Sequence, residues 1–449
     1  MSDRYLDLVN SGFAGKLATQ FGLPRPARLR RTDPARIDDP LLPGPVVVLG
    51  TGSDADSLAT ALLDWDLDVR RSVANTKVGA IILVLSEATD PADLSGPVTQ
   101  TGSLLRALRP GGRVVVVSRP AAGTEDPATA ALRQGTDGFL RSAAKEMRAG
   151  ATANGVSLTD GVGVLAPSAL GAVRFLLSAR SAFVAGQWLR ADGTQGAVPA
   201  DWTRPLSGQV AVVTGAARGI GAEIVRVLHR EGAAVVGVDV PAAGEALAQV
   251  MNNVGGSALQ ADITADTTAE RIMDLCRQRH GRLDIVVHNA GITRDKLLAN
   301  MKPEQWDAVV EVNLRAQLQM NEAFLAAEDL APDGLRLISL ASTSGIGGNR
   351  GQTNYAFTKA GVIGMSSALA PRVARSGGTA NAVAPGFIET EMTARMPAAT
   401  RQVARRINSL QQGGKPVDVA EAISFLASPQ SAGINGQVLR VCGQHWVGQ

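Results

Sequence analysis

One stretch of this chain occurs twice, and the two copies start 250 positions apart. Residues 172–190 and 422–440 carry Phe, Leu, Ser, Ala, Gly, Gln, Leu and Arg in the same order, and each copy has the pattern of a helix, a turn and a strand. Self-similarity at a fixed spacing marks a structural unit that is used more than once. The sequence therefore predicts a duplicated or fused fold, and 449 residues allow two domains with separate cores.

Both halves of the chain alternate short apolar runs with helical patterns. In the first half the apolar runs lie at 45–50, 78–85 and 114–117, with helical patterns at 56–65 and 129–148. Such alternation predicts parallel βαβ units and a doubly wound sheet. We therefore predict an α/β protein in which a Rossmann fold is preceded by a second, degenerate flavodoxin- or Rossmann-like α/β domain.

Residues 199–208 contain two prolines, a serine and a glycine, a composition that predicts a linker. The amphipathic pattern at 5–22 predicts a short helix near the N-terminus. The predicted organisation is an N-terminal arm (1–40), a degenerate nucleotide-fold domain without catalytic residues (41–198), the linker (199–208) and a catalytic domain (209–449).

The composition argues against several classes of function. A net charge of +3 is too small to predict nucleic-acid binding, and no apolar run reaches the roughly 18 residues of a transmembrane helix. The N-terminus is acidic where a signal peptide is basic and then apolar, and two cysteines make neither a disulfide framework nor a metal site. We expect a cytoplasmic protein. The basic segment 25–31 is expected to pack over a partner domain, with membrane or polyanion binding as the alternative.

A glycine-rich turn lies between the apolar run at 210–214 and a helical pattern at 222–230. Glycines at this position let phosphate oxygens approach the backbone at the positive end of the helix dipole. Asp239 ends the next strand, where it can bind ribose hydroxyls; it favours NADH over NADPH, although Arg218 could hold a 2′-phosphate. The predicted dinucleotide-binding residues here are Gly215, Arg218, Gly219, Ile220, Gly221 and Asp239.

Further polar turns follow strands that end at the same edge of the predicted sheet. Asp262 and Ile263 could border the adenine, and Asn289, Ala290 and Gly291 follow the strand at 284–288. Asn313 lies within a helical pattern that reaches about residue 327, either as a satisfied core group or as the holder of a proton-relaying water. Residues 390–415 lack a strong pattern and could form a mobile lid.

Tyr355 and Lys359 are four residues apart, so on a helix they lie on one face. An ammonium roughly 4 Å from the phenol contributes about 4 kcal/mol at an effective dielectric near 20. That is about three pKa units, enough to bring a phenol from about 10 towards neutrality as a general acid or base. Ser342 follows an apolar strand and could hold a substrate oxygen with the phenol. The only other tyrosine is Tyr5.

The first half has the pattern of a nucleotide fold that has lost its site. Asp54 and Asp56 follow its glycine turn, so two carboxylates stand where a pyrophosphate would meet the helix N-terminus. Alignment of the two halves sets Leu132 opposite Tyr355 and Thr136 opposite Lys359. We predict one working site.

Taken together, these motifs resemble the short-chain dehydrogenase/reductase family over roughly residues 205–449. Residues 354–361 and 384–390 are similar to the 3-oxoacyl-acyl-carrier-protein reductases of bacterial fatty-acid synthesis. The long N-terminal extension and the ending at 441–443 resemble the high-molecular-weight form of those reductases. The motif residues that carry the resemblance are Thr214, Gly215, Gly219, Gly221, Asn289, Ala290, Gly291, Asn313, Ser342, Tyr355, Lys359, Pro385 and Gly386.

The resemblance implies hydride transfer from a nicotinamide to a β-keto thioester. Tyr355 would protonate the carbonyl oxygen, Ser342 would hydrogen-bond it, and Asn313 would maintain a proton relay. Lys359 would lower the phenol pKa and grip the nicotinamide ribose. The cofactor contacts would further include Tyr355, Pro385 and Gly386, with Ile388 and Thr390 bordering the nicotinamide and its phosphates.

The substrate carrier and the oligomeric state are open at this stage. Similar reductases often carry basic residues before the serine strand, but residues 326–333 are acidic, which favours acyl-CoA over acyl carrier protein. Arg401, Arg405 and Arg406 could meet CoA phosphates, although a solvated helix face is favoured. Oxidation of a 3-hydroxyacyl-CoA or another alcohol, and a non-catalytic nucleotide-binding scaffold, are the alternatives. We expect the first half to pack on the second as one subunit packs on another, with the repeated units facing each other around a pseudo-two-fold axis. We also expect a homodimer, in which two chains would imitate a tetramer.

Overall fold

The computed structural model describes residues 3–12, 16–17, 20–33, 40–50, 52–73, 76–394 and 396–445. These residues group into two compact units. The first unit contains the chain up to Val198 together with the segments Met396–Gly414 and Cys442–His445. The second unit contains the chain from Pro199 onward apart from those two segments.

The first unit contains a six-stranded parallel sheet in the order β2-β1-β3-β4-β5-β6. Every residue of the Val78–Val84 strand is buried, as expected for a parallel strand covered on both faces. The strands are β1 (Val46–Leu49), β2 (Val69–Arg70), β3 (Val78–Val84), β4 (Leu108–Ser118), β5 (Thr152–Leu158) and β6 (Trp188–Ala191). The helices are α1 (Arg4–Val9), α2 (Ser53–Leu63), α3 (Ser95–Leu104), α4 (Pro127–Glu146) and α5 (Pro167–Leu177).

The second unit contains a seven-stranded parallel sheet in the order β13-β12-β11-β10-β7-β8-β9. Its strands are β7 (Val210–Thr214), β8 (Ala234–Asp239), β9 (Ser257–Gln260), β10 (Ile285–His288), β11 (Arg336–Leu340), β12 (Thr379–Pro385) and β13 (Val438–Val441). The helices that follow are α6 (Gly219–Arg230), α7 (Gly244–Asn253), α8 (Thr268–His280), α9 (Pro303–Val310), α10 (Ala316–Ala326), α11 (Thr343–Gly347), α12 (Thr353–Val373), α13 (Glu391–Ala394), α14 (Ala398–Arg406, in the first unit) and α15 (Pro416–Ala427).

The predicted α/β class and parallel sheets are confirmed in both units. The repeated sequence forms a helix, a short 3₁₀ turn and an edge strand in each unit, as α5 with β6 and as α15 with β13. In the second unit the strand order reverses between β7 and β10, and the crevice at the carboxyl ends of such neighbouring strands is where doubly wound folds bind ligands.

Several predicted boundaries were wrong. The strand predicted at 114–117 runs from Leu108 to Ser118, and the helix predicted at 56–65 starts at Ser53. Of the helix predicted at 5–22, the first part is α1, which ends at Val9, and residues 12, 16, 17 and 20 are again helical; residues 13–15 and 18–19 of that range lie outside the described residues. Asp3 fixes the start of α1 by accepting hydrogen bonds from the amides of Tyr5 and Leu6.

Within the first unit, Arg30 and Arg406 form hydrogen bonds that hold the N-terminal arm against other segments of the chain. Arg30 donates to the carbonyls of Leu41 and Leu177, at 3.1 and 3.0 Å. Arg406 donates to Asp3 at 3.1 Å, and its guanidinium lies 4.6 Å from the Tyr5 ring centroid. Arg405 is buried. The two expectations for these arginines, a CoA phosphate site or a solvated helix face, are therefore wrong for Arg405 and Arg406, because packing inside the unit occupies both side chains.

None of the helices in the described ranges has the length and apolar character needed to cross a membrane.

Candidate active site

The glycine loop between β7 and α6 has little room for side chains at two of its positions. A Cβ at Gly221 would overlap the Gly215 carbonyl oxygen, and one at Gly215 would lie 2.9 Å from Ala290 Cα. Gly219 has φ +57° and faces open space, and α6 begins at this residue. The loop therefore leaves the amino end of α6 open to an anion, as a pyrophosphate cradle requires. Ile220 beside it is half-buried, whereas Arg218 is exposed.

The Asp239 carboxylate lies against this loop at the end of β8. Its two oxygens accept hydrogen bonds from the amides of Ala217 and Val240, both at 2.9 Å. The carboxylate thus remains an acceptor fixed beside the glycine turn, in the position where ribose hydroxyls are bound in folds of this type. Asp262 accepts instead from the amide and hydroxyl of Thr264, and Ile263 is buried in the hydrophobic core.

The turn after β10 is joined to the glycine loop by side-chain hydrogen bonds. Asn289 Nδ2 donates to the carbonyls of Thr214 and Gly215, each at 3.0 Å. Thr214 Oγ1 accepts from the amides of Asn289 and Ala290, each at 3.1 Å. Thr214 is not among the residues predicted to bind the cofactor, although its position directly before the glycine turn is a usable signal. These bonds fix the Asn289–Gly291 turn against the cofactor loop.

Asn313 lies in a π-helical turn, Glu311–Arg315, between α9 and α10. The side chain is fully buried; Oδ1 accepts from the Ile292 amide at 2.8 Å, and Nδ2 donates to the Ile292 carbonyl at 3.0 Å and to Thr358 Oγ1 at 3.2 Å. A Cβ at Gly291 would lie 3.1 Å from Asn313 Oδ1 and 3.6 Å from Lys359 Nζ. The buried Asn313 side chain is thus satisfied by hydrogen bonds, and it brings the Gly291 turn next to Lys359.

Ser342, Tyr355 and Lys359 come from the loop after β11 and from α12. Ser342 caps α11, with Oγ accepting from the Ser344 amide at 3.1 Å, and its hydroxyl also hydrogen-bonds the Tyr355 phenol. Lys359 Nζ lies 5.6 Å from the Tyr355 ring centroid and donates to the Leu340 carbonyl at 2.6 Å. One short stretch of α12 therefore presents a phenol and an amine beside the serine hydroxyl.

The predicted lowering of the Tyr355 pKa is wrong for this arrangement. Burial raises the pKa of the phenol, the hydrogen bond with Ser342 lowers it by less, and Asp295 raises it further. Burial also lowers the pKa of Lys359 to about 8. The Lys359 amine points to the Leu340 carbonyl, and the phenol loses more hydration than nearby charge restores.

The turn after β12 is held in place by two threonines. Thr343 Oγ1 donates to the Pro385 carbonyl at 3.3 Å, and the Gly386 amide donates to Val441 at 3.0 Å. Thr393 Oγ1 donates to the Ile388 carbonyl at 2.8 Å and accepts from the Thr390 amide at 2.9 Å. Neither Thr343 nor Thr393 is predicted from sequence, because each closes its turn through a backbone contact that local pattern does not reveal.

The corresponding position of the first unit is filled by the protein itself. Glu87 accepts from the Asp54 amide at 2.9 Å and from Ser53 Oγ at 2.8 Å, at the start of α2. These hydrogen bonds lower the pKa of Glu87. Gly52, at φ +105°, is packed so closely on the Glu87 carboxylate that a Cβ would overlap it. The carboxylate at the helix N-terminus is therefore that of Glu87, while Asp54 accepts from Ser86 at 2.6 Å.

Comparison with known proteins covers the C-terminal half of the chain. The model of a family described as "Enoyl-(Acyl carrier protein) reductase" within the short-chain alcohol dehydrogenase group matches residues 215–443. The chain is similar to the 3-oxoacyl-[acyl-carrier-protein] reductase FabG of Thermotoga maritima, 40% identical over 243 residues, which are 53% of this chain and 98% of the relative.

Two further relatives carry the same printed name. The reductase of Escherichia coli strain K12 is 40% identical over 239 residues, and that of Pseudomonas aeruginosa is 42% identical over 241 residues. Each match covers 53% of this chain and 97% of the relative. The glycine loop, Asn313, Ser342, Tyr355 and Lys359 lie in loops and helices around one parallel sheet. The chain belongs to the short-chain dehydrogenase/reductase family of nicotinamide-dependent oxidoreductases.

Proposed function

We propose that this protein reduces a 3-oxoacyl thioester to the 3-hydroxyacyl thioester with NADH. The observation that carries the proposal is the convergence of Ser342, Tyr355 and Lys359 beside a glycine loop that can cradle a pyrophosphate. The relatives named as 3-oxoacyl-[acyl-carrier-protein] reductases support the choice of substrate. The catalytic domain in this proposal is residues 209–449, preceded by the linker 199–208, a first domain without catalytic residues and an N-terminal arm.

The glycine loop and Asp239 would hold the dinucleotide. Gly215, Gly219 and Gly221 leave the α6 amino end free for the pyrophosphate, and Asp239 offers carboxylate oxygens to ribose hydroxyls. A 2′-phosphate would meet the negative charge of Asp239, which favours NADH, while the exposed Arg218 favours NADPH.

Side chains of the chain itself would handle the substrate oxygen. When bound, the nicotinamide supplies the hydride that is delivered to the carbonyl carbon. Ser342 Oγ donates its hydroxyl proton in a hydrogen bond to the carbonyl oxygen, while it continues to accept from the Ser344 amide. Tyr355 donates the proton to that oxygen, and its raised pKa keeps the phenol protonated before the reaction.

Lys359 and Asn313 would support that proton transfer indirectly. The Lys359 amine lies next to the turn at Gly291, from which it would contact the ribose of a bound cofactor. A protonated Lys359 would stabilise the phenolate that forms when Tyr355 gives up its proton. Asn313 holds Ile292 and therefore the turn that faces Lys359. The remaining cofactor contacts in this proposal are Ile220, Asp262, Ile263, Asn289, Ala290, Pro385, Gly386, Ile388 and Thr390.

The charge pattern of the second unit favours acyl-CoA over an acidic carrier protein. Three basic side chains there are paired with carboxylates of the same unit: Arg372 with Glu322 at 2.7 Å, Arg277 with Asp329 at 3.3 Å, and Arg282 with Asp333 at 2.7 Å. Basic residues neutralised in this way attract an acidic partner less strongly.

We also propose that the chain is a homodimer. Leu318 on α10 and Phe357 on α12 are 43% and 49% exposed, and Phe357 packs on Trp306 with ring centroids 5.2 Å apart. A second copy of the chain would cover these exposed apolar side chains. Light scattering at micromolar concentration should give twice the mass of one chain, and a monomer mass would contradict this assignment.

The function is tested by following NADH absorbance with the full chain and acetoacetyl-CoA. We expect kcat/KM to be highest for acetoacetyl-CoA with NADH, and lower with NADPH or with the acetoacetyl acyl carrier protein. Oxidation of 3-hydroxybutyryl-CoA with NAD⁺ measures the reverse reaction. Turnover of simple alcohols but of no thioester would contradict the proposed substrate. NADH binding without turnover of any thioester or alcohol would leave the scaffold alternative.

A further inference from the structure

Three carboxamides occupy successive turns of the π-turn and α10 in the second unit. Asn313, Gln317 and Asn321 are spaced by four residues, and each is at most 1% exposed. Burial of an amide is unfavourable unless hydrogen bonds replace its hydration. Three buried amides on an otherwise apolar helix face must therefore be explained by the hydrogen bonds that they form.

The outer two amides hold the two ends of the turn that contains Asn289–Gly291. Asn313 accepts from and donates to the backbone of Ile292, directly after the turn. Asn321 Oδ1 lies 2.8 Å from Nε2 of His288, directly before the turn, and this buried imidazole has its pKa lowered to about 4 by burial. The neutral ring thus donates through Nε2, and the turn is anchored on both sides.

Gln317, between the two, makes a different contact. Its Nε2 donates to the main-chain carbonyl of Asn313 at 2.8 Å, inside the π-turn. Its Oε1 is buried with no hydrogen-bond partner among the described residues. A methionine of similar length would fill this space without burying an unpaired acceptor, so packing does not account for the amide. What the amide contributes is the bond to Asn313.

We propose that Gln317 is a positioning residue for the reaction. By holding the Asn313 carbonyl, it fixes the π-turn, keeps the Asn313 side chain on Ile292 and so sets the Gly291 turn beside Lys359. Its catalytic consequence rests on the proposed reductase function, whereas its effect on the Ile292 backbone does not.

Gln317→Met and Gln317→Glu test the assignment, with Gln319→Met and Gln319→Glu as matched controls on the exposed side of the same helix. We expect Gln317→Met to lower kcat with acetoacetyl-CoA about tenfold. This is near the upper end of the effect of losing one hydrogen bond between neutral groups. In Gln317→Glu only the protonated carboxyl can donate to the Asn313 carbonyl. The kcat of this variant relative to wild type should therefore rise as the pH falls from 8 to 6, and neither Gln319 variant should change the pH profile.

Hydrogen exchange of the Ile292 amide supplies a readout that needs no turnover. It should be faster in Gln317→Met than in wild type and unchanged in Gln319→Met. If the wild-type protein reduces no thioester, the proposed function fails while this exchange still decides the role of Gln317. Wild-type exchange at Ile292 in Gln317→Met, or a Gln317→Glu pH profile parallel to that of wild type, would overturn the assignment. If Gln317→Met does not fold, the pH profile of Gln317→Glu decides.

Discussion

The Lys359 amine is the group whose protonation the structure constrains most clearly. The side chain is buried, 3% exposed, and its amine donates to the Leu340 carbonyl at 2.6 Å. A carbonyl dipole replaces only part of the hydration that a charged ammonium loses on burial. Burial accordingly lowers the pKa of Lys359 from 10.5 to about 8. At about 1.36 kcal/mol per pKa unit, this shift corresponds to roughly 3 kcal/mol in favour of the neutral amine.

The pKa can be read directly from the ¹³Cε resonances of labelled lysines. The chain has only seven lysines, so the spectrum is simple, and Lys359→Met identifies the resonance. Lys302→Met, which removes an exposed lysine of the same unit, is the matched control. We expect the Lys359 resonance to titrate near pH 8. A Lys359 midpoint that stays at the ordinary lysine value of 10.5 would refute the reasoning that burial governs this amine.

The same shift has a defined effect on stability. Between about pH 8 and 10.5 the unfolded chain keeps a proton that the folded protein has released. The free energy of unfolding should therefore rise with pH across this window, by up to roughly 3 kcal/mol, and Lys359→Met should abolish that rise. NADH brings ribose hydroxyls that can accept from the ammonium, so cofactor binding near pH 8 should be accompanied by proton uptake, measurable as buffer-dependent binding enthalpy.

Three further perturbations have defined outcomes. Asp239→Ser should lower kcat/KM with NADH by about tenfold or more while raising the relative use of NADPH, since a charged acceptor for ribose is lost; an unchanged cofactor preference would contradict the role of Asp239. Glu87→Ala should lower the free energy of unfolding by about 1 kcal/mol at pH 7, as loss of a helix cap does. Because the pKa of Glu87 is lowered, this difference should vanish as the pH falls below 4.5, and a constant difference would count against it. Asp3→Asn should destabilise the chain by about 2 kcal/mol through the lost pairing with Arg406, as seen in the urea midpoint; an unchanged midpoint would mean that the pair contributes nothing.

The parallel architecture could be predicted from sequence because buried parallel strands give continuous apolar runs. The β3 strand, buried at every residue, is the clearest case. The spacing of Tyr355 and Lys359 also fixed their common helix face. Both of these signals are local, extending over one strand or one helical turn, and that is why they can be recognised without a structure.

Contacts between residues far apart in the chain could not be predicted. Glu87 caps α2 from 33 residues away, and Arg406 reaches Asp3 across most of the chain. The burial of the catalytic groups could not be predicted either, because the spacing of Tyr355 and Lys359 does not reveal that both groups lose their hydration. Coulomb attraction between the two side chains, considered without their burial, therefore predicts the wrong direction for the Tyr355 pKa. Gln317 differs from other polar helix residues only through its bond to Asn313, which the sequence does not show.

The central claim, that Tyr355 gives its proton to a substrate carbonyl, is tested most directly by the kcat of Tyr355→Phe with NADH and acetoacetyl-CoA. Tyr5→Phe is the control, because Tyr5 is the only other tyrosine and its hydroxyl bonds the Pro24 carbonyl in the first unit. Removal of a positioned proton donor should lower kcat by about 10²- to 10⁴-fold in Tyr355→Phe, with Tyr5→Phe close to wild type. A Tyr355→Phe protein that retains wild-type kcat would contradict the account.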